Sequence, residues 1–399
     1  MEDATTLPFA ERLIAWQRLH GRHDLPWQST RDPYRIWLSE VMLQQTQVTT
    51  VIPYYLRFLD CFPDVIALAD ADIGRVLELW SGLGYYRRAH LLHGAAREVR
   101  DRHEGVFPTS PESLVALPGV GRSTAAAIAA FSTGARSAIL EGNAKRVLAR
   151  HAGIEGFPGD TRTAAALWRC AEARLPDGAT RAATATASDI ATETAVAAST
   201  ATAVDTRMGI YTQALMDLGA TVCVRSSPLC ERCPVASDCS ARLQHRVDEL
   251  PAPRPRRVLP QKQCTVLLVE RDGCVLLERR PASGIWSGLW SLPETEPGAD
   301  VACFCRTRYG ADVEVVSPLE PIEHGFTHFR LRLFPQLCAA TDWPGALREP
   351  DARPELRWLP IDDAATAALP APIKKLLVAW SVAGATARRL GLREKDRTA

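Results

Sequence analysis

Two periodicities divide this chain. From Phe9 to about Arg174, apolar residues recur at helical spacing, with breaks at Pro53, Pro63, Gly82-Leu83-Gly84, Pro108 and Pro118. No run in this half alternates with the period of two that marks a strand, so it is predicted to be all-α. Its first helix is expected at about Phe9–Leu19. Asp32-Pro33 then supplies an N-cap and a first helical position for a helix reading YRIWLSEVMLQQTQ. Beyond Pro260 the period changes. TVLLVE and CVLLER flank Arg-Asp-Gly, a hairpin signature, and Phe329, Leu331 and Leu333 alternate with Arg330 and Arg332. With a last helix at about Ala371–Leu390, the C-terminal part is predicted to be a separate α+β domain.

Two segments fit neither pattern. PAPRPRRVLP, residues 251–260, is a stiff basic connector suited to separating domains. Residues 178–204 hold 11 Ala and 7 Thr and no aromatic, too little apolar bulk to build a core, so they are expected to form a low-complexity insertion.

The helical half is organised around Leu117–Arg150. PESLVAL and STAAAIAAF read as two helices joined by Pro118, Gly119, Val120 and Gly121. The two glycines allow a hairpin tight enough to bring backbone close to a ligand, and amides at the start of the second helix face outward, ready for a phosphate. Arg122, Arg136, Lys145, Arg146 and Arg150 make the stretch basic. It ends in a carboxylate, Glu141, within a polar Glu-Gly-Asn elbow.

Composition narrows the class. At 399 residues the chain should hold two or three domains, and a formal net charge of +1 confines any basic surface to local patches. No apolar run reaches membrane-spanning length, and the polar, acidic start MEDATT lacks a signal-peptide pattern, so no membrane association and a cytoplasmic location are expected. In such a compartment 11 cysteines suggest metal binding more than disulfides. Cys223, Cys230, Cys233 and Cys239 fall as C-x6-C-x2-C-x5-C, which suits zinc or an iron–sulfur cluster. The spacing differs from paired Cys-x2-Cys zinc knuckles and favours the cluster. The loop from Arg225 to Arg232 would present positive charge beside it. On the helix from Pro33, Trp37, Glu40 and Gln44 at i, i+3 and i+7 are expected to share a face. A carboxylate packed there should have its proton affinity raised, which suits a general acid.

WLSEVMLQQTQV, WSGLGYYRRA, LPGVGRSTAAAI, EGNAKRVLAR, QALMDLGA and the four-cysteine loop occur in one order. Together they resemble the MutY-type adenine DNA glycosylases of the helix–hairpin–helix superfamily, nearly end to end apart from the Ala/Thr insertion. The resemblance implies a multidomain fold. Residues 1–28 and 134–245 would form a helical subdomain bearing one 4Fe–4S cluster, and 29–133 a six-helix subdomain with the helix–hairpin–helix. Residues 246–262 would be a linker and 263–399 a MutT-like (Nudix-fold) α+β domain. The implied partner is double-stranded DNA containing adenine:8-oxoguanine mispairs, bound by a monomer at the nucleoid.

Residue by residue, the resemblance assigns Glu40 as the acid that protonates the adenine ring and then activates water. Arg22, Trp27 and Gln213 would line the adenine pocket, and Asn143 would be the supporting amide near the sugar. Gln44 and Gln45 match the wedge that fills the gap left by the extruded base, and Tyr85 the intercalating aromatic. Ser123 stands where bifunctional relatives carry the lysine that forms a Schiff base, so a monofunctional enzyme is expected. In HGFTHF, residues 324–329, Thr327 and His328 match the loop that senses 8-oxoguanine, with Thr327 in place of the usual serine. The Nudix carboxylate pattern is absent between Leu276 and Pro297, so pyrophosphatase activity is not expected.

The clearest departure is Glu141, where the family has aspartate. The carboxylate would stabilise positive charge on the sugar, but glutamate adds roughly 1.5 Å of reach. A misplacement of about 1 Å can cost around a hundredfold in rate, so slow catalysis with DNA binding preserved is expected. Ala144, where the family usually has valine, leaves room for repacking. Three other readings stand beside this one: a catalytically weak lesion-recognition protein, a bifunctional endonuclease III-type glycosylase-lyase, and a zinc-dependent DNA-binding protein.

Overall fold

The computed structural model describes residues 7–177, 206–255, 258–281, 283–343 and 355–389. The Ala/Thr-rich segment 178–204 lies outside the described residues. By internal contacts the chain forms two units, Met1–Asp70 with Leu91–Arg256, and Ala71–His90 with Arg257–Ala399. Segment 71–90, which the sequence places among the helices, thus groups with the sheet-bearing unit.

Helices follow one another from α1 (Phe9–His20) through α2 (Pro33–Leu43), α3 (Val48–Cys61), α4 (Val65–Asp70), α5 (Ile73–Trp80), α6 (Arg87–Arg102) and α7 (Pro111–Ala116). After them come α8 (Arg122–Thr133), α9 (Gly142–Ala152), α10 (Thr161–Ala173), α11 (Thr206–Thr221) and the short α12 (Ser240–Leu243). Local chemistry sets their starts. Asp32 caps α2 by accepting the Tyr34 amide, and Ser110 caps α7 by accepting that of Ser113. In the first unit the faces of α1 and α8–α11 close over a core that includes Leu13, Ile139, Leu148, Tyr211 and Leu218. A second apolar zone forms where Trp37 of α2, fully buried, meets Phe107 at 5.0 Å between ring centroids.

Two expectations need correction. The helix from Pro33 ends at Leu43, not at Gln47, because the chain reverses through Gln45 in the left-handed region (φ 60°). Gln44 is therefore the C-cap and does not continue the helical face of Trp37 and Glu40. Pro53 does not break its helix but sits inside α3. The carbonyl left without a donor by Pro53 belongs to exposed Thr49 and opens to water.

In the second unit an eight-stranded sheet runs in the order β3-β2-β1-β7-β5, with β4 on β1, β6 on β7 and β8 on β2. The strands are β1 (Gln261–Arg271), β2 (Cys274–Arg279), β3 (Trp290–Ser291), β4 (Glu294–Thr295), β5 (Asp312–Pro318), β6 (Ile322–Gly325), β7 (Arg330–Asp342) and β8 (Leu356–Pro360). β1 and β2 are joined by Asp272 and Gly273, both at positive φ (50° and 73°), the two-residue turn that Arg-Asp-Gly implied. β1 and β7 pair in parallel at the sheet's centre, Gln261 opposite Arg330. Helix α13 (Val301–Tyr309) packs Cys305 and Tyr309 onto Leu267, Val269 and Leu276, and α14 (Ala371–Arg389) ends the unit. Among the described residues no helix is long and apolar enough to cross a membrane.

Candidate active site

Four of the candidate residues meet in one cleft of the first unit, of about 440 Å³: Arg22, Trp27, Glu40 and Gln213. Each is placed by a different element. Trp27 sits on a single 3-10 turn, Pro26–Gln28, buried and held edge-on against Tyr55 at 5.4 Å. Glu40 projects from the second turn of α2, beside buried Ile36 and Ser39. Arg22 follows α1, and Gln213 lies in α11.

A residue that sequence reasoning passed over ties two of these together. Asp217, fully buried on α11, accepts the Arg22 backbone amide at 2.9 Å, Arg22 Nε at 2.8 Å and Gln213 Nε2 at 2.8 Å. The second guanidinium nitrogen of Arg22 closes the fork at 2.7 Å. QALMDLGA contained the signal: an amide and a carboxylate four residues apart, hence on one helix face.

Burial, with the negative charge of Glu141 acting in the same direction, pushes the Glu40 carboxyl up to about 8. Glu141 is the N-cap of α9. Its Oε2 accepts the Asn143 amide and its Oε1 the Ala144 amide, each at 2.7 Å. Burial raises the proton affinity of Glu141 as well, while these two amides and the charges of Arg146 and Lys145 oppose the rise. Both oxygens thus fold back onto the start of their own helix. Asn143 hands its side-chain oxygen to Arg146 at 2.8 Å, and Arg146 also donates to the carbonyls of Gly219 at 2.6 Å and Cys223 at 2.7 Å.

The hairpin forms as the Pro-Gly-Val-Gly pattern implied. Gly119 has φ +78°, and a Cβ there would meet that of Leu91 at 2.9 Å. Val120 is buried, and Gly121 caps α8 without using a side chain, which leaves the first amides of the helix open. Ser123 is committed elsewhere: its Oγ accepts the amide of Leu140, the residue before Glu141, at 2.9 Å. Gln44 reaches Thr124 Oγ1 at 3.5 Å. Gln45 is exposed at its left-handed turn.

The arginines of this stretch are not a free surface. Arg122 pairs with Glu172 and lies over the Trp168 ring at 3.9 Å, and Arg136 donates to the Pro176 carbonyl at 3.0 Å. Arg150, buried, donates to the carbonyls of Leu250, Val224 and Arg225 and approaches Cys223 Sγ at 3.4 Å. Helix α9 therefore presents Glu141 at its start and grips the cysteine loop with its later turns.

All four patterned cysteines line one cavity, together with Arg150 and His151, and none is in a disulfide. Burial pushes the Cys233 thiol up to about 12 and raises those of Cys230 and Cys239. A bound metal centre supplies the positive charge that turns such thiols into thiolates. The donor set fits a group held by four soft sulfurs. Among the described residues no three His, Cys, Asp or Glu side chains converge on a single metal ion. Arg225 and Arg232 are exposed on the same loop.

The remaining candidates lie in the second unit. Tyr85 is 47% exposed at φ 49°, with Arg88 stacked 5.7 Å from its ring. Thr327 and His328 are exposed at the tip of a turn closed by the Phe326 amide and the Phe329 carbonyl at 2.9 Å. Stacked Phe326 and Phe329, with Trp286 and His324, brace that turn.

A helix–hairpin–helix with a buried acid in a cleft, in one chain with a mixed sheet, defines a class of DNA base-excision enzymes. Residues 38–173 match the HhH-GPD superfamily of base excision DNA repair proteins, and residues 264–379 match the NUDIX domain. The chain is 32% identical over 332 residues to the adenine DNA glycosylase of Buchnera aphidicola subsp. Baizongia pistaciae, covering 83% of this chain and 86% of that one. It is 32% identical over 437 residues to the adenine DNA glycosylase of Mus musculus, covering 94% and 78%. With that of Homo sapiens it shares 30% over 442 residues, covering 94% and 74%. The chain belongs to the adenine DNA glycosylase family, of MutY type with a Nudix-like C-terminal domain. It is a DNA glycosylase of base-excision repair, and DNA is its substrate.

Proposed function

We propose that the base removed is adenine mispaired with 8-oxoguanine or guanine, by hydrolysis alone and without strand cleavage. The observation that carries the reading is Glu40: an acid that holds its proton to about 8, in a cleft edged by Arg22, Trp27 and Gln213. Adenine is a poor leaving group as an anion and a good one once its ring is protonated. Glu40 gives its proton to a ring nitrogen of the extruded base, the glycosidic bond breaks with its electron pair on the base, and positive charge grows on the sugar. The Glu141 carboxylate stabilises that charge. Water then adds to the sugar carbon, and the Glu40 carboxylate takes its proton back.

The other residues serve this step as binding elements. Gln44, Gln45 and Tyr85 hold the opened duplex, Asn143 supports the sugar side, and the Pro118–Gly121 hairpin grips a phosphate through its amides. Thr327 and His328 read the 8-oxoguanine. Cys223, Cys230, Cys233 and Cys239 hold one 4Fe–4S cluster, which shapes the loop carrying Arg225 and Arg232. The C-x6-C-x2-C-x5-C spacing of these thiols, which differs from paired Cys-x2-Cys knuckles, supports the cluster over zinc. Ser123 has no amine to attack the sugar, and its hydroxyl is already bonded to the Leu140 amide. The methylene that glutamate adds at position 141, with both oxygens held by the Asn143 and Ala144 amides, supports a slowed chemical step.

The test is release of free adenine from duplexes bearing one adenine opposite 8-oxoguanine, guanine or thymine. Release from the first two without strand breakage is expected. Equal release opposite thymine overturns the assignment of the mispair.

A further inference from the structure

We infer that Asp217 is a positioning residue that makes the cleft selective for a 6-amino purine by fixing which way the Gln213 amide faces. The inference rests on adenine excision as the reaction and goes one step beyond it.

Side-chain amides are nearly symmetric in shape, so a glutamine in a pocket can offer either its oxygen or its nitrogen to a base edge. Here that freedom is removed. Asp217 is fully buried and paired with the Arg22 guanidinium, and its carboxylate has only acceptors to offer. Gln213 must therefore turn its NH2 towards Asp217 Oδ1, at 2.8 Å. Its carbonyl oxygen is left on the opposite side and has no hydrogen bond among the described residues. An amide held this way offers an acceptor to the cleft, with its second N–H beside it. That pair complements the amino group and neighbouring ring nitrogen of adenine.

A 6-oxo purine presents an acceptor where adenine presents a donor. To serve it, Gln213 would have to flip and set its own oxygen against the buried Asp217 carboxylate. Leaving that contact unmade, or making it repulsive, is the kind of mismatch that polar sites reject strongly. Asp217 thus converts an ambiguous side chain into a one-way reader, and through its fork to Arg22 it fixes the neighbouring loop as well.

The experiment compares single-turnover release of adenine and of hypoxanthine, each opposite the same 8-oxoguanine, for the wild type, Asp217→Asn, Gln213→Leu and the double variant. Asparagine keeps the shape of Asp217 but both donates and accepts, so Gln213 becomes free to flip. The adenine-to-hypoxanthine ratio is expected to fall roughly tenfold or more in Asp217→Asn and in Gln213→Leu, with no further fall in the double variant. Equal slowing of both bases in Asp217→Asn, with the ratio unchanged, marks a merely structural role and overturns the inference. If Asp217→Asn does not fold, a wild-type ratio in Gln213→Leu overturns it alone. A wild type that releases no adenine overturns the underlying reading, and the inference with it.

Discussion

The negative charge of Glu141 adds to burial in holding the proton on Glu40 up to about pH 8. The two carboxyls are placed unequally: Glu141 accepts two backbone amides at a helix start, whereas Glu40 is desolvated on α2. Unequal environments divide the labour of an acid and a carboxylate at neutral pH.

Loss of the proton from Glu40 has a cost in stability whose sign is fixed. Its folded-state proton affinity is raised, from 4.5 to about 8, so the native state binds more protons than the unfolded chain between those values. Stability is therefore greatest below the unfolded value and declines as pH rises through about 8. Glu40→Gln removes the titration. Its Tm should exceed that of the wild type at pH 8.5 by more than at pH 5, measured by calorimetry. A gap that widens towards acid would contradict the assignment.

Glu141→Asp shortens the side chain by one methylene and draws the carboxylate back towards the backbone, at a cap position that aspartate also fills. A single-turnover rate about a hundredfold above the wild type is expected, with duplex affinity little changed. Equal rates would sink the idea that glutamate slows the chemistry.

Ser123→Ala leaves the Leu140 amide without its acceptor and should cost about 1–3 kcal/mol in denaturant titrations. Neither this variant nor the wild type should give a borohydride-trapped adduct with DNA. Trapping by the wild type as efficient as by a lyase would overturn the monofunctional assignment.

Gly119→Ala places a methyl group 2.9 Å from the Leu91 Cβ at φ +78°. A loss of about 1–3 kcal/mol is expected, together with weaker duplex binding measured by fluorescence anisotropy. Unchanged affinity in a folded variant would remove the hairpin from the DNA contact.

Protein purified without oxygen should be brown and carry roughly four iron atoms per chain, and Cys233→Ser should lose both colour and iron. Colourless protein with one zinc per chain would replace the cluster by a single ion.

The sequence was most informative where chemistry depends on local spacing. The Asp32 cap, the Asp272-Gly273 turn and the hairpin at Gly119 are set by a few adjacent residues, and each appears where the residues indicate. Helix length was less legible. Gln44 and Gln45 have good helical propensity, and the left-handed turn at Gln45 is a tertiary choice that no local signal announces. Arg150 reads as a surface cation, but its buried guanidinium finds three carbonyls, those of Val224 and Arg225 in the cysteine loop and that of Leu250 beyond it. The pairing of Asp217 with Arg22 was hidden for the same reason, since the two are 195 residues apart, although its local partner Gln213 is legible at i, i+4. The contact of Glu141 with the Asn143 and Ala144 amides follows from a carboxylate meeting a free helix start, and only the effect of its extra methylene is a question of reach.

The most direct measurement is single-turnover release of adenine at neutral pH from a duplex with one adenine opposite 8-oxoguanine, by the wild type and Glu40→Gln. The expected result is release by the wild type and a loss of at least about a thousandfold in the variant, with both binding the duplex. Release by Glu40→Gln at the wild-type rate would contradict the account, and so would a wild type that binds the mispair without releasing the base.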